Sequence, residues 1–230
     1  MFDYGEACPI SMATSVLCER WTLQIVRELF LGSTRYSEIQ RYIPNISPSL
    51  LRNRLRFLEQ AGVIVRKQGT GRGHAEYHLT PAGKALGPVL TELGRWGMRH
   101  ASAGMTEKQN TASGLARDIA GAINVDELPS GDTVIQLNLT DVPESPRRYI
   151  TVREGIASDC SQDLGFDVDV YITATLQMMT RIWYGEIALQ KAMDEGQVSV
   201  VAPPVYTRNI SRWLGISGFA TGEGRFIAPA

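Results

Sequence analysis

The sequence is poor in the residues that mark several classes of protein. It has three cysteines (Cys8, Cys18 and Cys160) and three histidines among 230 residues, and the cysteines form neither a CxxC pair nor a spacing typical of metal ligands. A sparse, odd set of thiols is typical of a reducing compartment. No apolar run approaches the roughly 20 residues that span a bilayer, and the first residues lack a signal-peptide pattern. We expect a cytoplasmic protein with no membrane partner and no metal.

The net charge of the whole chain is small, but the two halves carry net charges of opposite sign. The net charge is −1, from 23 basic and 24 acidic residues. Residues 1–100 contain 13 basic and 8 acidic residues, a net charge of +5, whereas residues 101–230 contain 10 and 16, a net charge of −6. Opposite signs in the two halves indicate two domains with different partners, and the basic half is a candidate for binding a polyanion.

The first half begins with two predicted helices. Residues 11–31 have the apolar spacing of a single helix that stops at Gly32. A short second helix follows, with Ser33 or Thr34 as its cap, and ends at Pro44 because the residue before a proline is disfavoured in helical geometry. Cys18 lies among apolar residues of the first helix and is predicted to be a small core residue.

A third helix is predicted over residues 47–60, with Ser47 as N-cap and Pro48 at the first helical position. Its buried stripe consists of Leu51, Leu55 and Leu58. The opposite, polar and basic face carries Ser49, Arg52, Asn53 and Arg56. A short helix, a tight turn and a helix of this kind predict a helix-turn-helix whose third helix reads duplex DNA. Arg54 lies beside the leucine stripe and is predicted to anchor the fold.

A β-hairpin is predicted next, from strands at residues 63–67 and 76–79 around a glycine-rich tip. Its basic residues Lys67, Arg72 and His74 are predicted to contact the phosphate backbone or the minor groove, which makes the hairpin a wing. Arg35, in the second helix, completes the candidate DNA contacts. A metal site is not expected at His74 and His78, because a spacing of four does not bring hairpin residues side by side.

A long amphipathic helix is predicted after the cap Thr80-Pro81. Its apolar face consists of Leu86, Val89, Leu90, Leu93 and Trp96. A helix of that length has no partner within so small a winged fold. We therefore expect it to form a homodimer interface, aided by the apolar N-terminal segment.

The first hundred residues resemble the HxlR family of bacterial regulators. The resemblance covers about residues 7–100 and rests on six segments in order: CPI (8–10), RWTLQI (20–25), RYSEI (35–39), SPSLLRNRL (47–55), LEQAGVI (58–64) and YHLTPAG (77–83). It implies a dimeric winged-helix repressor or activator of a palindromic operator, with DNA contacts from the helix that starts at Ser47 and from the wing.

The same resemblance raises a redox hypothesis. Some HxlR proteins sense electrophiles or oxidants through the cysteine of the N-terminal Cys-Pro segment, which here is Cys8. Such a thiol has to be exposed and to have a low pKa. Glu6 is nearby in sequence and is expected to raise the pKa of Cys8 instead.

The second half predicts an α+β domain over residues 115–230, after a linker at residues 101–114. Helical and alternating patterns predict a helix at 115–123, strands at 133–140, 147–153, 156–160, 168–172 and 197–201, and helices at 176–183, 185–193 and 204–214. The order, with several strands in succession, indicates a mostly antiparallel sheet covered by helices.

No catalytic constellation is found in this half, which has no histidine and in which Asp167 and Asp169 are expected to be solvated. We expect neither an enzyme nor a cofactor. Its bulky apolar residues, Met178, Met179, Ile182, Trp183 and Trp213, form either a packed core or a pocket for a lipophilic ligand.

Residues 174–198 resemble the sterol-carrier-protein type of lipid-binding domain, through ATL (174–176), GEIALQKAM (185–193) and GQV (196–198). The resemblance implies a sheet covered by helices around an apolar tunnel. The resulting hypothesis is a dimeric regulator of duplex DNA whose second domain binds a lipophilic effector. Two alternatives stay open: a lipid carrier that uses the winged helix for protein contacts, and a second domain that only dimerises.

Overall fold

Two clusters of buried apolar side chains organise the chain. The computed structural model describes residues 5–69, 75–101, 111–143, 147–160, 165–222 and 226. The chain divides into two units, one made of Met1–Gly94 with Arg225–Ala230 and the other of Arg95–Gly224, and each cluster lies within one of them. The last residue described, Phe226, packs edge-on against Phe30 and so contributes to the first core.

The first unit is a winged helix-turn-helix, as predicted. Its elements are α1 (Pro9–Leu17), α2 (Thr22–Phe30), α3 (Tyr36–Tyr42), α4 (Pro48–Gln60), β1 (Ile64–Gln68), β2 (Ala75–Leu79) and α5 (Pro81–Lys84), with α6 (Gly87–His100) starting in it. Strands β1 and β2 pair antiparallel, from Ile64 opposite Leu79 to Gln68 opposite Ala75. Arg35 forms an isolated antiparallel bridge with Glu76 of β2.

The single helix predicted over residues 11–31 is wrong, because the chain breaks between α1 and α2. Trp21 has a left-handed φ of 78°, which an α-helix cannot include. Arg54 of α4 stabilises this break: its guanidinium contacts the Glu19 carboxylate at 2.6 Å and donates to the Arg20 carbonyl at 3.1 Å. The predicted anchoring role of Arg54 is thus confirmed. Cys18 caps the end of α1 and is exposed, so its predicted core position is also wrong.

The long helix predicted after Thr80 is likewise two helices, α5 and α6. Thr80 does act as the cap, since its hydroxyl accepts from the Gly83 N–H. A continuous helix is prevented by Pro88, which lacks an N–H and whose ring would collide with the carbonyl four residues earlier. In the second position of α6 the same proline is tolerated.

The second unit is built on a five-stranded mixed sheet. Its strands are β3 (Thr133–Leu139), β4 (Arg147–Arg153), β5 (Ile156–Cys160), β6 (Val170–Ala174) and β7 (Ser199–Val201), in the order β5-β4-β3-β6-β7. Its helices are α7 (Ala112–Ala122), a 3-10 turn at Val125–Glu127, α8 (Leu176–Trp183), α9 (Leu189–Asp194), α10 (Pro204–Thr207), α11 (Ile210–Trp213) and α12 (Gly218–Thr221). The β3–β6 pair is parallel and the other three pairs are antiparallel. The predicted sheet with helices is therefore present, but it is mixed.

Four local predictions in this unit need correction. The helix predicted at 185–193 begins only at Leu189. Residues 112–114, assigned to a linker, form the first turn of α7, which Thr111 caps by accepting from the Gly114 N–H; residues 102–110 lie outside the described part of the chain. The helix predicted at 204–214 is split at Asn209, whose side-chain amide donates to the Glu127 carbonyl at 2.6 Å. Asp169 is not merely solvated, because it accepts from the Val134 N–H at 2.8 Å where β6 begins beside β3.

Gly83 provides a direct test of the first unit's packing. A Cβ added there would lie 2.1 Å from the Val63 carbonyl oxygen, a backbone atom that cannot rotate away. We expect Gly83→Ala to lower the free energy of unfolding by about 1–3 kcal/mol, the usual cost of overpacking, as measured by urea unfolding. Gly97→Ala is the matched control: apart from the backbone of α6 itself, no atom of the described residues lies within 4 Å of a Cβ at this position, and alanine in a helix interior stabilises by up to about 1 kcal/mol. Equal effects of the two variants would contradict the packing described.

Candidate nucleic-acid interface

The polar face of α4 points to solvent. Leu51, Leu55 and Leu58 are 1% exposed or less, and they fix the rotation of the helix about its own axis. The side chains predicted to meet DNA therefore turn outward together, and all are exposed: Ser47, Ser49, Arg52, Asn53 and Arg56. Along an α-helix, positions 49, 52, 53 and 56 share one face. The structure thus brings this part of the predicted site together on one surface.

The N-terminal end of α4 is fixed by two side chains of α3. The Tyr36 hydroxyl donates to the Pro48 carbonyl at 2.9 Å, and the Gln40 amide donates to the Ile46 carbonyl at 2.8 Å. Both bonds span the turn between the helices and set the angle at which α4 leaves it. The role of Gln40 was missed from the sequence, because nothing in a local pattern shows that its amide reaches a carbonyl six residues away.

The cap of α4 agrees with the prediction. The Ser47 hydroxyl accepts from the Leu50 N–H at 3.3 Å and lies 3.3 Å from the Ser49 hydroxyl. The cap of α3 does not: instead of Ser33 or Thr34, the Glu38 carboxylate accepts from the Thr34 and Arg35 N–H groups, both at 2.9 Å. A glutamate at the third helical position that bonds back to the N-cap N–H is the carboxylate half of a capping box.

At the base of the wing, Glu76 lies among basic side chains. Arg35 Nε is 3.8 Å and His78 Nε2 is 3.4 Å from the two Glu76 carboxylate oxygens, and Lys67 is its direct cross-strand partner. Lys67 is exposed on β1. Arg35 is about half exposed but already partnered, so it is less free to bind phosphate than the α4 residues. Arg72 and His74 lie outside the described residues.

Comparison with known proteins identifies this half of the chain. The HxlR-like helix-turn-helix model matches residues 16–105. YvaP of Bacillus subtilis, an uncharacterized HTH-type transcriptional regulator, is 42% identical over 96 residues, which cover 41% of this chain and 89% of that protein. The chain belongs to the HxlR-like helix-turn-helix family.

Two further relatives cover the same half of this HxlR-like protein. An uncharacterized HTH-type transcriptional regulator of Synechocystis is 34% identical over 97 residues, which cover 42% of this chain and 72% of that protein. The reduced form of the B. subtilis transcriptional regulator YodB is 33% identical, with a TM-score of 0.39, over 44% of this chain and 100% of that one. The match to the family model ends at residue 105.

Cys8, the candidate redox thiol of the HxlR-like half, lies at the N-cap of α1 and is half-buried. The pKa of its thiol is lowered, chiefly because the Ser11 backbone N–H bonds to the sulfur, with a further contribution from the Ile10 N–H; partial burial opposes them. The expected rise in pKa is therefore wrong. Glu6, its supposed cause, instead accepts a hydrogen bond from the Ser11 hydroxyl. Cys18 lies at the other end of α1, roughly 15 Å along the helix axis, too far for a disulfide within the chain.

The candidate pocket residues all belong to the second core. Met179, Ile182 and Trp213 are buried, and Met178 and Trp183 pack against them from partly buried positions. The Trp213 indole N–H donates to the Tyr206 carbonyl at 2.8 Å, so this polar atom is already satisfied. Among the described residues, no helix has the length and apolarity needed to cross a bilayer.

The lowered pKa of Cys8 predicts an alkylation profile. In the Cys18→Ser/Cys160→Ser variant, the rate of reaction with iodoacetamide is expected to rise at lower pH in the native protein than in urea, because the thiolate is favoured only while α1 is folded. The difference persists at every pH below the unfolded thiol pKa and vanishes above it, where both forms are thiolate. Coincident native and denatured profiles would contradict the geometry.

Proposed function

We propose that this protein is a transcriptional regulator that binds operator DNA as a homodimer, with α4 in the major groove. The observation that carries the proposal is the single exposed face formed by Ser49, Arg52, Asn53 and Arg56, opposite three buried leucines. Arg and Asn are the side chains that form bidentate bonds with guanine and adenine edges. Membership of a helix-turn-helix family whose relatives are named transcriptional regulators supports the same function.

In this proposal the wing contributes affinity rather than sequence choice. Lys67, with Arg72 and His74, contacts phosphates or the minor groove, and Ser47 with the first N–H groups of α4 meets the backbone at the groove edge. Arg35 makes a weaker contact, since Glu76 competes for its guanidinium.

The homodimer uses exposed apolar side chains of the first unit and α6. Val89, Leu93 and Trp96 follow one another along one face of α6 and are 49%, 47% and 58% exposed. On α1, Ile10 and Met12 are about 70% exposed. Side chains of this size on one helix face are typical of an interface, and two copies of α4 then meet successive turns of a palindromic operator.

The second unit, in the same proposal, binds a lipophilic effector in a domain of the sterol-carrier type. Support comes from the residue pattern at 174–198, from a sheet with helices, and from a core rich in Met and Trp. An effector changes DNA binding only if it binds the free and DNA-bound conformations unequally. A carrier or a purely dimerising domain is the outcome if no such coupling is measured.

The DNA contacts are tested with promoter fragments from upstream of the protein's own gene. Binding is expected to weaken steeply with salt as counterions are released. Arg52→Ala and Asn53→Ala should each cost about 1–3 kcal/mol against the preferred sequence and relax the preference. Lys67→Ala should weaken all sequences about equally and lower the salt slope by about one. Fluorescence anisotropy measures both quantities.

Arg208→Ala is the matched control, because it removes one exposed positive charge from the second unit. Its effect on anisotropy titrations should be small. The proposed DNA face would be wrong if Arg208→Ala weakened binding as much as Arg52→Ala, or if binding did not change between low and moderate salt.

The dimer is tested by analytical ultracentrifugation. Leu93→Glu combined with Trp96→Glu is expected to convert a dimer into a monomer, because two charges would be buried without partners. Val205→Glu is the control, since Val205 is 54% exposed on α10 and outside the proposed interface. A wild-type monomer at micromolar concentration, or a dimer that survives the double substitution, would contradict this interface.

A further inference from the structure

A buried ion pair lies on the helix-covered face of the second unit's sheet. Arg148 and Asp159 have side chains that are only 4% and 5% exposed, and Arg148 Nη2 is 3.1 Å from Asp159 Oδ2. Arg148 Nε is also buried and, within the part of the chain that the structure describes, has no hydrogen-bond partner. Leaving a buried donor unsatisfied costs free energy, so such an atom calls for a hydrogen-bond partner.

The strand register places Arg148 at the end of an apolar row. Arg148 pairs with Leu137, Leu137 with Ile172, and Ile172 with Val200, so these four side chains share one face of the sheet. With neighbouring strands about 4.8 Å apart, the row extends roughly 14 Å away from the guanidinium. Helix α7 packs on β4 and β5, over the Arg148 end of the row. The Arg148 guanidinium thus adjoins an apolar row in which Leu137 and Ile172 are 1% exposed or less.

The ion pair itself selects the kind of ligand. Asp159 already neutralises the guanidinium charge, and an added anion would be brought beside the Asp159 carboxylate in a medium of low dielectric constant. A carbonyl or hydroxyl oxygen accepts from Nε–H without that repulsion. We propose that Arg148 anchors the lipophilic ligand of the second unit through Nε–H, and that this ligand is a neutral chain or ring with an acceptor oxygen at one end. The inference rests on the ligand-binding role proposed above and adds its anchor and its class.

The experiment compares two probes of equal chain length, methyl octyl ketone and decanoate, by isothermal titration calorimetry on the full chain. The wild type is expected to bind the ketone at least about tenfold more tightly than decanoate. The variant Arg148→Met/Asp159→Asn removes both charges together, which avoids an unpaired buried ion. It should bind the ketone about tenfold more weakly than the wild type does, the effect of losing one buried hydrogen bond.

The outcomes distinguish a failure of the Arg148 anchor from a failure of the ligand-binding function proposed for the second unit. Equal ketone affinity in wild type and variant means that water alone satisfies Nε, and it overturns the role of Arg148. Tighter binding of decanoate by the wild type overturns the neutral class, and this comparison needs no variant, so it holds even if the variant fails to fold. No binding of either probe overturns the ligand-binding function itself, while DNA binding is tested separately.

Discussion

The DNA-facing surface depends on the burial of one stripe of α4. Leu51, Leu55 and Leu58 are buried in the first core. Because this face of the helix is fixed, the helix cannot rotate about its axis, and the opposite face must point to solvent. The outward direction of Arg52 and Asn53 is therefore a consequence of packing rather than of any contact that these side chains make. The bonds from α3 that hold the start of α4 complete the constraint, because they set its angle as the leucines set its rotation.

Much of this surface is predictable from the sequence because its signals are local. The leucine spacing, the Ser47 cap and the glycine-rich hairpin each lie within a few residues of what they specify, and they agree with one another. The break between α1 and α2 is different. It depends on Arg54 of α4, which contacts Glu19 and the Arg20 carbonyl. The apolar periodicity of residues 11–31 cannot indicate a contact with a residue more than thirty positions away.

The second unit shows the same division between local and distant information. Alternation predicts β3 and β4 as strands, but it does not say that β6 lies parallel beside β3, since pairing is a long-range property. The candidate pocket residues lie in the second core or pack against it. The polar feature of that core was overlooked, although Arg148 alternates with Ile150 and Val152 and so shares their buried face. The pattern that could have revealed it is a charged residue at a position that the strand's alternation assigns to the buried, apolar face.

Affinity cleavage tests the central claim, that α4 enters the major groove of DNA, most directly. An iron chelate would be attached at Ser49→Cys in a background lacking the three native cysteines, and the positions of strand cleavage on a bound promoter fragment would be mapped. The account predicts two narrow clusters whose centres are about one helical turn (10–10.5 base pairs), or a multiple of it, apart. Diffuse cleavage, or the same pattern from a chelate attached at Arg208→Cys, would contradict it.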